Sequence, residues 1–100
     1  MTLDGSPLGS LVEQHRDQIV ALVTRHRARS IAVFGSVARG EDTGASDVDF
    51  LVEFEPGSSL LDLIHLEEAL SELLGVGVDV ISAAALLERD DEIRRDAVAL

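Results

Sequence analysis

Gly35-Ser36, ten intervening residues and then Asp47-Val48-Asp49 place a tight turn and a hydroxyl just upstream of two carboxylates. One residue separates the acids. On a strand their side chains therefore share a face and can bridge one cation or clasp two. A third carboxylate, Asp79, sits inside the later apolar run 76–81. Three acids gathered on a sheet repel one another unless a cation neutralises them, and hard divalent cations favour such oxygen ligands. The expected chemistry is metal-assisted displacement at a phosphate, with Asp47, Asp49 and Asp79 as both metal ligands and catalytic groups. Mg2+ suits the donor set, and two such ions can stabilise the entering and leaving oxygens of an in-line displacement.

Gly35, Ser36 and Arg39 are the expected nucleotide-binding residues. Glycine lets the backbone approach a phosphate closely. The amides that open a helical turn after it can donate to phosphate oxygens, and the Ser36 hydroxyl is a further donor. Arg39, one turn on, can balance triphosphate charge. Neither an Asp-x-Asp pair nor a Gly-Ser turn is specific alone, because acidic alternation is common on solvated strands. Specificity comes from a strand-terminated Gly-Ser, this spacing, an apolar strand carrying the acids and a third Asp in another apolar strand.

These residues need particular elements to position them. Residues 1–8 read as a loose leader. A helix is predicted over 8–26, with Val12, Ile19, Leu22 and Val23 at helical spacing and His15 at the core edge. The basic run 25–29 reads as cations near a helix C-terminus, the alternative being contact with nucleotide phosphate or an acidic partner. A strand is expected over 30–34, a helical turn over 37–39 and a polar loop over 40–46. The strand over 47–54 puts Asp47, Asp49, Leu51 and Glu53 on one side and Val48, Phe50, Val52 and Phe54 on the other. The turn 55–59 leads to a helix over 60–74 with Leu63, Leu66, Leu70, Leu73 and Leu74 on one stripe, His65, Glu67 and Glu68 solvated, and Gly75 ending it. A strand over 77–81 carries Asp79. Ser82 caps a short turn, and a charge-laced helix over 89–98 ends the chain.

Composition bounds the function. One hundred residues make a single domain, 1–100, with 46% apolar residues for one core built mainly of Leu, Val, Ile and Ala. Nineteen acidic residues against eight basic ones leave a net charge of −11, so the chain repels a nucleic-acid backbone and attracts a basic protein. The basic side chains other than histidine are all Arg, which excludes a lysine Schiff base and a P-loop lysine. There is no Cys, hence no thiol nucleophile, disulfide or thiolate metal site. Nothing resembles a secretory leader or a membrane span, and a cytoplasmic location without membrane contact is expected.

The segments Phe34-Gly-Ser-Val-Ala-Arg-Gly40, Ser46-Asp-Val-Asp-Phe50 and Val78-Asp-Val-Ile81 resemble the polymerase-β-type nucleotidyltransferase superfamily. More closely they resemble the minimal nucleotidyltransferases, the MNT proteins paired with HEPN-domain toxins. That resemblance implies an α+β fold, a small mixed β-sheet with helices packed on one face. It implies that Asp47 and Asp49 hold the Mg2+ carrying the triphosphate, that Asp79 completes a second ion's site and helps activate the attacking hydroxyl, and that Gly35 and Ser36 grip phosphates. It implies transfer of AMP from ATP to a tyrosine of a HEPN-domain RNase toxin, which neutralises the toxin. The chain contains no Tyr, so a tyrosine acceptor must come from another molecule. Val37 stands where many relatives have a second basic residue. Two other readings fit the same residues: a binding module that occludes its toxin without catalysis, and a nucleotidyltransferase acting on a small molecule such as an aminoglycoside.

Overall fold

The computed structural model describes residues 3, 5–43, 45–86 and 90–100. Its elements in chain order are α1 (Pro7–Gln14), α2 (Arg16–Arg25), β1 (Ala28–Phe34), α3 (Gly35–Arg39), β2 (Val48–Phe54), α4 (Leu60–Leu74), β3 (Val78–Ser82), a 3-10 turn (Ala83–Ala85), α5 (Asp91–Asp96) and β4 (Val98–Ala99). The four strands form one sheet in the order β3-β2-β1-β4. β1 runs antiparallel to β2 and β4, whereas β2 and β3 are parallel. The sheet is therefore mixed, as the α+β expectation required.

Alternation along β2 sets the two faces. Val48, Phe50 and Val52 are fully buried. They join Ile19, Val23, Leu66, Leu70 and Leu74 in one core, so α2 and α4 cover that face. Asp49 and Glu53 look the other way. The β2–α4–β3 crossover is what makes β2 and β3 parallel, and parallel pairing aligns the acids of the two strands.

The helix predicted over 8–26 is two helices. It breaks at His15, whose amide donates to the Val12 carbonyl at 3.1 Å while its ring Nδ1 bonds the Leu11 carbonyl at 2.9 Å. Val12 in α1 and Ile19 in α2 are both fully buried. The loose leader over 1–8 is also corrected where it is described. Leu3 is 3% exposed and in the core, Ser6 caps α1 by accepting the Gly9 amide, and Pro7 and Leu8 are already helical. Residues 1, 2 and 4 lie outside the described residues.

The last predicted helix began at 89, which lies outside the described residues, and was expected to run through Val98. It stops at Asp96. Ala97 is extended, and β4 pairs Val98 with Val33 and Ala99 with Ala32. The free edge of β1 satisfies its backbone groups this way, and the Leu100 amide extends the ladder to the Ile31 carbonyl at 3.1 Å. Glu67, expected in solvent, instead accepts the Val80 amide at 3.0 Å and so satisfies the exposed edge of β3. Ser82 stands at the cap position of the 3-10 turn without a side-chain capping bond. Among the described residues no helix is long and apolar enough to cross a membrane.

Candidate active site

Gly35 follows β1 directly and has φ +73°, a conformation that side-chain-bearing residues rarely adopt. The turn folds the chain back over the start of β2. A Cβ at Gly35 would lie 2.6 Å from Asp49 Oδ2. The backbone angle calls for glycine, and the Asp49 carboxylate fills the space that a Cβ would take. Ser36 is half-buried in the first turn of α3, and its carbonyl accepts the Glu41 amide at 2.9 Å, which ties the 40–46 loop to the Gly-Ser turn.

The parallel register places Asp49 directly beside Asp79 and Val48 beside Val78. Partners in register project to the same side of a sheet. The two acids thus share the face opposite Val48, Phe50, Val78 and Val80. Asp47 precedes β2 by one residue and is exposed. Its carboxylate lies against the backbone of Gly77, where a Cβ would displace it. The Val48 amide donates to the Gly77 carbonyl at 2.9 Å, which fixes this junction.

Electrostatics tie the three together. The Asp49 carboxyl is held above the ordinary carboxylate range, first by burial and then by the charges of Asp79 and Asp47, with Arg39 opposing. The structure brings Asp47, Asp49 and Asp79 to one end of one face. It does not close them into a finished cage: among the described residues no three acidic or histidine side chains form a ready metal-binding group. The tight convergence expected from the sequence is not seen among the described residues, although the three acids lie toward one end of the sheet. Like charges hold such side chains apart. The donor set itself suits a hard divalent cation, since it offers three carboxylates whose mutual repulsion already penalises ionised Asp49.

Arg39 stands one turn after the Gly-Ser pair, as expected, but its guanidinium is engaged. It bonds Glu41 Oε2 and Asp96 Oδ2, each at 3.1 Å, and these bonds hold it firmly in the charged form. The run 25–29 stays away from the acids. The Arg27 carbonyl accepts the Glu55 amide, and Arg29 faces Glu53 across the strands at 4.0 Å. These residues precede or begin β1, about 20 Å of strand from Gly35, so the alternative of a phosphate contact at this site is not met.

Sequence reasoning missed three residues. Gly77 supports Asp47, Asp96 engages Arg39, and Asp42 is buried at 8% exposure. The Leu8 amide donates to Asp42 Oδ2 at 3.1 Å, while the buried Oδ1 has no hydrogen-bond partner. Asp42 joins the loop before Asp47 to the start of α1. Only the small residue beside an Asp-bearing strand hinted at Gly77; nothing in the sequence marked the other two.

The profile of the family described as "Nucleotidyltransferase domain" matches residues 12–99, nearly the whole chain. The chain belongs to the nucleotidyltransferase family. This nucleotidyltransferase is 44% identical over 78 residues to the protein adenylyltransferase MntA of Thermococcus cleftensis, covering 70% of this chain and 79% of that one. A solved structure of a candidate minimal nucleotidyltransferase superposes with a TM-score of 0.83 at 42% identity, covering 100% of this chain and 97% of the other. The same fold occurs in a complex of a tri-AMPylated Shewanella oneidensis HEPN toxin with its MNT antitoxin, with a TM-score of 0.66 at 16% identity over 87% of this chain and 69% of that one. The minimal-nucleotidyltransferase resemblance seen in the motifs therefore extends to the whole nucleotidyltransferase fold.

Proposed function

We propose that this nucleotidyltransferase transfers AMP from ATP to a tyrosine of a HEPN-domain toxin and thereby neutralises it as an antitoxin in the cytoplasm. One observation carries the reading. Asp49 and Asp79 are register partners on parallel strands, and Asp47 shares their end of the sheet beneath the Gly35-Ser36 turn. The likeness to an adenylyltransferase and to an antitoxin bound to an AMPylated toxin supports it.

Mg2+ would be held by Asp47, Asp49 and Asp79, and when bound it supplies positive charge to the triphosphate and to the oxygens that enter and leave phosphorus. The remaining work belongs to the chain. Gly35 lets backbone amides approach the phosphates, and the Ser36 hydroxyl donates to them. Arg39 balances their charge once it exchanges Glu41 or Asp96 for phosphate oxygens. The tyrosine hydroxyl attacks the α-phosphorus of ATP. An O–P bond to tyrosine forms, the bond from the α-phosphorus to the oxygen bridging to the β-phosphate breaks, and pyrophosphate leaves. The phenolic proton passes to the Asp79 carboxylate, a general base on the open face. No tyrosine occurs in this chain, so its own residues do not compete as acceptors.

The test is intact-mass and peptide mapping of the protein encoded beside the chain, after incubation with ATP and Mg2+. AMP on a tyrosine with the wild type, and an unmodified toxin with Asp47→Ala, is the expected pair of results. A toxin left unmodified by the wild type contradicts the reading. Occlusion without catalysis is the second reading, favoured by the net charge of −11 and by acids that are not closed into a cage. Under occlusion, Asp49→Asn protects cells from the toxin as well as the wild type does.

A further inference from the structure

α4 is amphipathic on two sides. Its inner stripe of Leu66, Leu70 and Leu74 is buried in the core. Its outer ridge opens with Leu60, Leu61 and Ile64, which are 71%, 61% and 38% exposed. The 100° step of a helix puts these three on one surface and continues it through Glu68 and Glu72, both exposed. Scattered exposed aliphatics are ordinary, but a contiguous group on one ridge marks a contact surface.

Charge identifies the occupant. α4 carries Asp62, Glu67, Glu68 and Glu72 and no Lys or Arg. Its last turn has no basic residue, although cations are favoured there and acids are not. Glu72, in that turn, therefore sits where the helix gains nothing from it. A second copy of the chain would bring another net charge of −11 against the same ridge. A basic protein would be attracted to it.

We propose that the outer ridge of α4 is the docking surface for a basic protein segment, whose apolar side chains cover Leu60, Leu61 and Ile64 and whose Lys or Arg side chains pair with Glu68 and Glu72. Taking that protein to be the toxin rests on the reading above. β2 carries the chain away from Asp49 before the 55–59 turn delivers Leu60, so the apolar end of the ridge lies about 20 Å of strand from the acids. α4 also covers the face opposite Asp49. Docking and chemistry thus occupy different surfaces, and each can be removed without the other.

The experiment is calorimetric titration of the full chain with the protein encoded beside it, paired with adenylylation kinetics. Leu61→Ser/Ile64→Ser should raise Kd and KM at least about tenfold, as loss of a central apolar anchor does, with kcat at saturating toxin unchanged. Glu68→Arg/Glu72→Arg should weaken binding and flatten its dependence on salt. Circular dichroism checks that these exposed substitutions leave the fold intact. Unchanged Kd and KM in both variants overturns the proposal while leaving the adenylyltransferase reading standing. Ridge-dependent binding without adenylylation does the reverse. Absent binding by the wild type, or dimerisation of the wild type that Leu61→Ser/Ile64→Ser abolishes, also overturns it.

Discussion

The carboxylate of Asp47 rests on the bare Cα of Gly77, in the space that a side chain there would take. Gly77 does not have a positive φ, so its backbone tolerates alanine. Gly77→Ala should therefore leave Tm unchanged or slightly raised, because alanine reduces the freedom of the unfolded chain. It should lower kcat by about tenfold or more by moving Asp47, since small displacements at a reacting centre carry large rate penalties. A thermal melt and a kcat measurement on one preparation decide it. A fall in Tm with unchanged kcat would make Gly77 a packing residue.

Asp49 yields a pH prediction. Burial, then Asp79 and Asp47, raise its pKa in the folded state. The folded chain thus holds this proton more tightly than the unfolded chain does. Stability falls as pH rises from the ordinary carboxylate range through the raised value. Asp49→Asn should melt higher than the wild type at pH 7. The gain should vanish at pH values below the ordinary carboxylate range. Mg2+ should raise the Tm of the wild type at pH 7 and leave that of Asp49→Asn nearly unmoved.

Gly35 should behave unlike Gly77. Gly35→Ala meets both a positive φ and the Asp49 carboxylate, so it should cost about 1 kcal/mol or more of stability as well as activity. Urea denaturation separates the two glycines. Equal stability effects at both positions would contradict the geometry.

Asp42 tests the loop that delivers Asp47. Asp42→Ala removes the acceptor of the Leu8 amide and should cost about 1–2 kcal/mol, as loss of a helix-start acceptor does. Asp42→Asn keeps a carbonyl acceptor for the Leu8 amide. It should be more stable than Asp42→Ala. Chemical denaturation of the pair would contradict this if Asn destabilised as much as Ala.

Arg39 bonds both Glu41 and Asp96, so under the proposed function each would compete with phosphate for the guanidinium. Asp96→Ala should lower KM for ATP, whereas Arg39→Ala should raise it. Initial rates across ATP concentrations check both, and an unchanged KM in the two variants would remove Arg39 from the nucleotide site.

The site was legible where local rules decide the geometry. Alternation from Val48 to Phe54 assigned the faces of β2, and the Leu stripe of α4 set its buried side. The register that pairs Asp49 with Asp79 was not legible, because it depends on the crossover through α4. Gly77 and Asp42 were hidden for the same reason: each matters through a residue 30 or more positions away. The end of the chain misled. Its charged residues do form α5, but Val98 and Ala99 answer the open edge of β1, which no local propensity reveals.

The central claim is that the end of the sheet bearing Asp47, Asp49 and Asp79 moves AMP onto a partner's tyrosine. Parallel reactions with ATP labelled at the α- or the γ-phosphate, the HEPN-domain protein and Mg2+ test it most directly. The account predicts α-label on the toxin tyrosine, γ-label only in released pyrophosphate, and neither label on the toxin with Asp79→Asn. Transfer of γ-label, or α-labelling that persists in Asp79→Asn, would contradict it.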